Sequence, residues 1–159
     1  MKRPSWLKVL WLVLILVAAP PATALPSHFA VTLEPGLLCN DRLDSAFYYN
    51  YLSSNVEPPY KRENGAYWFK VNAELFGKSI TEIFVSDGTS WWVFVGALFA
   101  ATPDELGKSV QDKVGRAYTK REPGNPNSAL FSKDTSEIMW QGTQAKLLCR
   151  RLVGPWKYG

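Results

Sequence analysis

The chain has 159 residues, with 18 Lys and Arg against 14 Asp and Glu, for a formal net charge of +4. Three of the cations, Lys2, Arg3 and Lys8, fall in the first 24 residues and none of the acids does, so the remainder sits near +1. That balance leaves no nucleic-acid footprint, since the pairs Lys120-Arg121 and Arg150-Arg151 read as solvated strand ends.

The basic head is followed by an apolar run over 9–19, then by Pro20 and Pro21. Ala22-Thr23-Ala24 supplies the small residues that a signal peptidase requires. A run of about 11 apolar residues is too short for a hydrocarbon core that needs about 20. The reading is a signal peptide over 1–24, cleaved after Ala24, with export to the periplasm or outside the cell and no membrane insertion afterwards. Leu25 rather than Cys would begin the mature chain, which argues against a bacterial lipoprotein. Residues 25–159 suffice for a single domain with its own core.

Segment 25–38 reads as an extended arm, broken by Pro26, Pro35 and Gly36, with Phe29, Val31 and Leu33 alternating as an edge strand would. A first helix is predicted over 41–53, capped by Asn40 or Asp41, with Asp44 in its first turn and Leu43, Phe47 and Tyr51 as its apolar stripe. Strands follow at 66–71, 79–85 and 91–99, punctuated by Asn64-Gly65 and Asp87-Gly88. The stretch Trp91-Trp92-Val93-Phe94-Val95 lacks polar alternation, which places it centrally with both faces covered. Gly96 within it marks a bulge or a close backbone approach.

Thr102-Pro103-Asp104-Glu105 carries a capping box with proline at N1, and Leu106, Val110 and Val114 share one stripe before Gly115. This predicts a second helix over 103–114. Short strands are expected at 116–121, 129–132, 137–141 and 145–150, and the tail 153–159 reads as partly mobile. Ser86-Asp87-Gly88-Thr89-Ser90 echoes Ser132-Lys133-Asp134-Thr135-Ser136, with Gly96 aligned on Gly142. The fold class is α+β: an antiparallel sheet of about five to seven strands with two packed helices, in the order α-βββ-α-βββ. Cys39 and Cys149 should form one disulfide, because paired oxidation is the default for an exported chain.

Chemistry is conspicuous mainly by what is missing. His28 stands alone on the N-terminal arm, so no nucleophile has a positioned base, and no metal or cofactor motif occurs. The sequence therefore points to no catalytic residue, no metal and no cofactor. Glu63, Glu74, Glu82, Asp87, Glu105 and Glu137 leave open a carboxylate-pair glycosidase, but each reads equally well as a turn, cap or solvent-facing strand position. Aromatic content is the distinctive remainder. Tyr67-Trp68 and Trp91-Trp92 cannot both point inward on a one-sided sheet, so either both faces are covered or aromatic surface is exposed. Tyr48, Tyr49 and Tyr60 are the candidate binding residues, joined into one patch if the loop at Pro58-Pro59 folds beside the first helix. The expected function is a non-catalytic binding protein, a stoichiometric inhibitor or partner of another exported or envelope protein. The alternatives are a cell-wall glycan hydrolase or glycan-binding module, and a structural envelope component.

Overall fold

The computed structural model describes residues 25–153. The predicted leader and the tail beyond Val153 lie outside the described residues. Three helices occur among them: α1 (Phe29–Leu37), α2 (Ser45–Asn55) and α3 (Pro103–Val114). Eight strands accompany them: β1 (Lys61–Glu63), β2 (Ala66–Leu75), β3 (Lys78–Ser86), β4 (Trp92–Phe99), β5 (Thr119–Lys120), β6 (Leu130–Phe131), β7 (Glu137–Gln141) and β8 (Gln144–Leu152). The fold is α+β with one antiparallel sheet, as expected, but it has one more helix and one more strand than the upper expectation.

The sheet runs β1-β2-β3-β4-β8-β7-β6-β5, with every pair antiparallel. Two meanders thus lie side by side, and α3 carries the chain from the centre out to the far edge. From there β5 to β8 step back until β8 pairs with β4. Segments 86–90 and 132–136 both connect adjacent antiparallel strands, β3 to β4 and β6 to β7, but the glycines of the echo do not correspond. Gly96 lies inside β4, whereas Gly142 makes the β7–β8 turn at φ 61°.

The added helix corrects the reading of 25–38. Phe29, Leu33, Gly36 and Leu37 are buried together on one side of α1, a spacing near 3.6, while Val31 is 74% exposed. The apparent alternation of 29, 31 and 33 lost to that longer stripe. Pro35 removes an amide only in the last turn, where the helix is about to stop. The stop is a Schellman motif: Asn40 N–H donates to Pro35 O and Cys39 N–H to Gly36 O, with Cys39 itself left-handed at φ 59°. Arg116 and Arg151 then donate to the carbonyls of Leu38 and Cys39, placing cations at the negative end of α1. Arg151 is therefore a capping residue rather than a merely solvated strand end.

Helix α2 begins later than predicted because Asp44, not Asn40 or Asp41, is its cap, accepting from the amides of Ala46 and Phe47. Tyr48 and Leu52 form its buried stripe, and Phe47 is exposed. Helix α3 matches its predicted bounds, with the capping box made in both directions and Gly115 left-handed at φ 73°. Its buried stripe is Leu106, Gly107 and Val110, and Val114 is exposed.

All three helices cover one face of the sheet. Leu33, Leu37, Leu52 and Leu106 meet Phe69, Ile83, Val85, Val95, Phe99 and Leu147 in a single core cluster. Cys39 and Cys149 form the predicted disulfide, tying the end of α1 to the centre of β8. Strand β4 is central, but its apolar run is not explained by two covering layers. Val95, Ala97 and Phe99 face the helices, whereas Phe94 and Leu98 join Trp68, Phe84 and Leu148 in a smaller cluster on the opposite face.

Candidate binding face

The three tyrosines singled out by sequence do not form one surface. Tyr48 is 1% exposed, and its hydroxyl donates to Asp41 Oδ2 at 2.6 Å while lying over Gly36. Burial, then the Asp41 hydrogen bond and the charges of Asp41 and Asp44, push its phenol well above the usual tyrosine range. Tyr49 packs its ring 4.7 Å from that of Tyr67 and 6.1 Å from Phe69, on the helical side. Tyr60 stands on the other side, donating to Glu82 and lying against Lys61 and Lys70. The physical reason is which face of α2 packs inward: Tyr48 and Leu52 are buried and Phe47 is exposed, while Tyr60 lies beyond the helix beside Glu82.

That opposite face carries the more distinctive surface. Strand register aligns Lys61, Trp68, Phe84, Gly96, Leu148 and Glu137 in one row across six strands. Trp68 and Phe84 rings lie 4.8 Å apart, and Phe84 and Phe94 rings 6.1 Å apart. The Phe84 ring reaches over Gly96 so closely that a Cβ there would stand 2.1 Å from Cζ. Gly96 is thus a close approach, by a side chain rather than a backbone.

These rings floor an open groove of about 370 Å³, with Trp92, Lys146 and Arg150 at its margin. Arg150 sits 5.0 Å from the Trp92 ring centroid, and its Nε is 2.8 Å from Glu137 Oε1. Glu137 is 3% exposed, which corrects its reading as a solvent-facing position. Its charge is tolerated because the Arg150 cation lies against it. Lys146 donates to Gln141 Oε1 at 3.2 Å. Burial lowers its ammonium pKa, Glu137 opposes that shift and Arg150 adds to it. Across the groove, Lys61 lies 4.5 Å over the Trp68 ring.

Of the other carboxylates, Glu74 is exposed on β2 opposite Ser79, and Asp87, Glu105, Glu63 and Glu82 are occupied locally. Asp87 is pushed up by burial, but hydrogen bonds from Thr89 and Arg62 outweigh this and hold it below the usual range. Glu105 serves the α3 cap, Glu63 pairs with Lys61, and Glu82 accepts from Tyr60. His28 occupies the N-cap position of α1, its ring edge-on to Tyr51. A wider depression of about 600 Å³ at the end of α3 contains Arg116, already committed to Leu38, Asn40 and Asp134. Among the described residues, no group of three or more His, Cys, Asp or Glu is placed to hold a metal ion. No described helix is long and apolar enough to cross a membrane.

Sequence reasoning posed the dilemma of Tyr67-Trp68 without resolving it. Tyr67 lies under α2 and Trp68 on the groove face, so the strand alternates; on the groove face Phe84, Leu98 and Leu148 are buried, Trp68 and Phe94 are half-buried, and Trp92 is exposed. The readable signal was the glycine inside an otherwise bulky apolar strand. Comparison with known protein families, curated proteins and solved structures gives no match for this chain.

Proposed function

We propose that this chain is an exported, non-catalytic binding protein that engages another exported or envelope protein stoichiometrically. One observation carries the reading: among the described residues, no helix or strand covers the aromatic face of the sheet. Trp92 is 40% and Leu152 65% exposed, paired in register at the end of that face. Large apolar residues left in water forgo about 1.5–3 kcal/mol each, and contiguous patches of them mark interaction sites. The basic and apolar composition of 1–24 and the Cys39–Cys149 bond support an oxidising, exported setting. Enzyme chemistry gains no support from the acids: Glu63, Glu82, Asp87, Glu105 and Glu137 are engaged by a cation, a hydroxyl or a cap, and Glu74 is exposed on β2.

The test is in-cell photo-crosslinking. A crosslinking phenylalanine at position 92 or 152 should yield a discrete protein adduct, and one at Val31 on exposed α1 should not. Equal adducts at all three positions, or no protein adduct at 92 and 152, would overturn the proposal. Recovered mature protein should have the mass of a chain beginning at Leu25. Retention of Met1 would refute the export reading.

A further inference from the structure

The groove has chemistry specific enough to name the kind of segment it takes, an inference that rests on the protein-binding reading above. We infer that it receives a partner peptide in which an aromatic side chain sits next to an acidic one. The ring would lie against the half-buried Trp68 and Phe94, above the buried Phe84, and the carboxylate would meet Lys146.

Size sets the first constraint. At about 370 Å³ the groove is near the lower end of ligand sites, room for a short element of side chains rather than for a helix. Its floor rings are tilted at 31° and 56° to one another, so a further ring can contact them offset or edge-on. Charge sets the second. Glu137 is enclosed, lies against Arg150 and also acts on Lys146, so the groove offers an incoming segment no exposed anion from that residue. Lys146 is different. Its ammonium has three donors, one hydrogen bond to Gln141, and no ion pair among the described residues. It is also half-buried, so a carboxylate reaching it displaces less water than it would at a fully exposed ammonium. Arg150 beside it is paired with Glu137, and Lys61 across the groove with Glu63, which leaves Lys146 as the cation of the groove without an ion pair among the described residues and disfavours a basic segment there. A nucleic acid strand would also stack on rings and meet cations, but the near-neutral balance beyond residue 24 supplies little of the charge it needs.

The experiment uses the disulfide-bonded protein and a random heptapeptide display library, followed by fluorescence anisotropy on labelled synthetic peptides. Enriched peptides should carry an aromatic residue within two positions of Asp or Glu. Changing that acid to its amide should weaken binding about tenfold, as expected for a hydrogen bond to a charged group. In Lys146→Gln the acidic and amide peptides should bind alike, with the melting temperature near that of the wild type. Trp68→Ala should abolish binding of both. Equal binding of acid and amide to the wild type, or a preference that survives in Lys146→Gln, overturns the assignment of the acid to Lys146. Enriched peptides indifferent to both variants overturn the site while leaving the protein-binding reading intact. Enrichment of no peptide, with chito-oligosaccharide or oligodeoxythymidylate quenching the tryptophan fluorescence instead, overturns both.

Discussion

The junction at Cys39 makes two separable demands on stability, and substitution can tell them apart. The disulfide closes a separation of 110 residues, for which the chain-entropy model gives about 4–5 kcal/mol. Cys39 also sits at φ 59°, where a side chain costs about 1–2 kcal/mol that glycine does not incur. Two double variants share the loss of the bond and of the buried Cys149 sulfur: Cys39→Ala/Cys149→Ala and Cys39→Gly/Cys149→Ala. The first should lose about 4 kcal/mol or somewhat less, a large part of the roughly 5–15 kcal/mol that holds a domain together. The second should recover about 1 kcal/mol, because glycine suits the left-handed position of the Schellman motif. Urea unfolding followed by tryptophan fluorescence reads both, and the slope should rise as the uncrosslinked unfolded chain exposes more surface. A glycine variant no more stable than the alanine variant would refute the left-handed cap. A loss under about 1 kcal/mol in both would refute the long-range closure as a source of stability.

Gly96→Ala should cost about 1–3 kcal/mol, because the new Cβ meets Phe84 at 2.1 Å and the ring must swing out of its place on β4; a urea midpoint unchanged from wild type would contradict that packing. Tyr48→Phe should cost about 1–3 kcal/mol at neutral pH by leaving the Asp41 carboxylate without its donor. Since the folded phenol is raised, its contribution is complete below about pH 10 and is lost as pH rises further, so the variant should show a shallower alkaline loss in melting temperature. Asp87 runs the opposite way: its folded pKa is lowered, so the Arg62 and Thr89 bonds stabilise above about pH 4 and fade on acidification. Asp87→Asn should therefore narrow the difference in stability between pH 6 and pH 3 measured by calorimetry. Thr102→Ala should cost about 0.5–2 kcal/mol by removing the hydroxyl half of the α3 capping box, while the Thr102 N–H still reaches Glu105, read as loss of helical signal at a lower temperature.

Local chemistry determined by itself what could be read in a few neighbouring residues. The α3 cap, its left-handed Gly115 stop and the Asn64-Gly65 turn all depend on backbone groups within one turn of the residues that serve them. The disulfide followed from there being two cysteines in a chain whose first 24 residues read as an export leader. Tertiary contacts decided the rest. Whether 25–38 became helix or strand turned on a face for Leu33 and Leu37 to bury against, and that face is built from strands far along the chain. The β2–β3 hairpin turns on Phe76-Gly77, with Phe76 left-handed at φ 53°. Nothing local favours such a conformation, and it is held by burial against Phe99 and by Ser109 donating to its carbonyl. Which of two adjacent aromatics faced the core was open for the same reason. Alternation along a strand sets a relative orientation, and only the side on which the helices pack says which face is inside. Here they cover the face of Tyr67 and leave that of Trp68, so the groove arises from where the helices lie rather than from any motif.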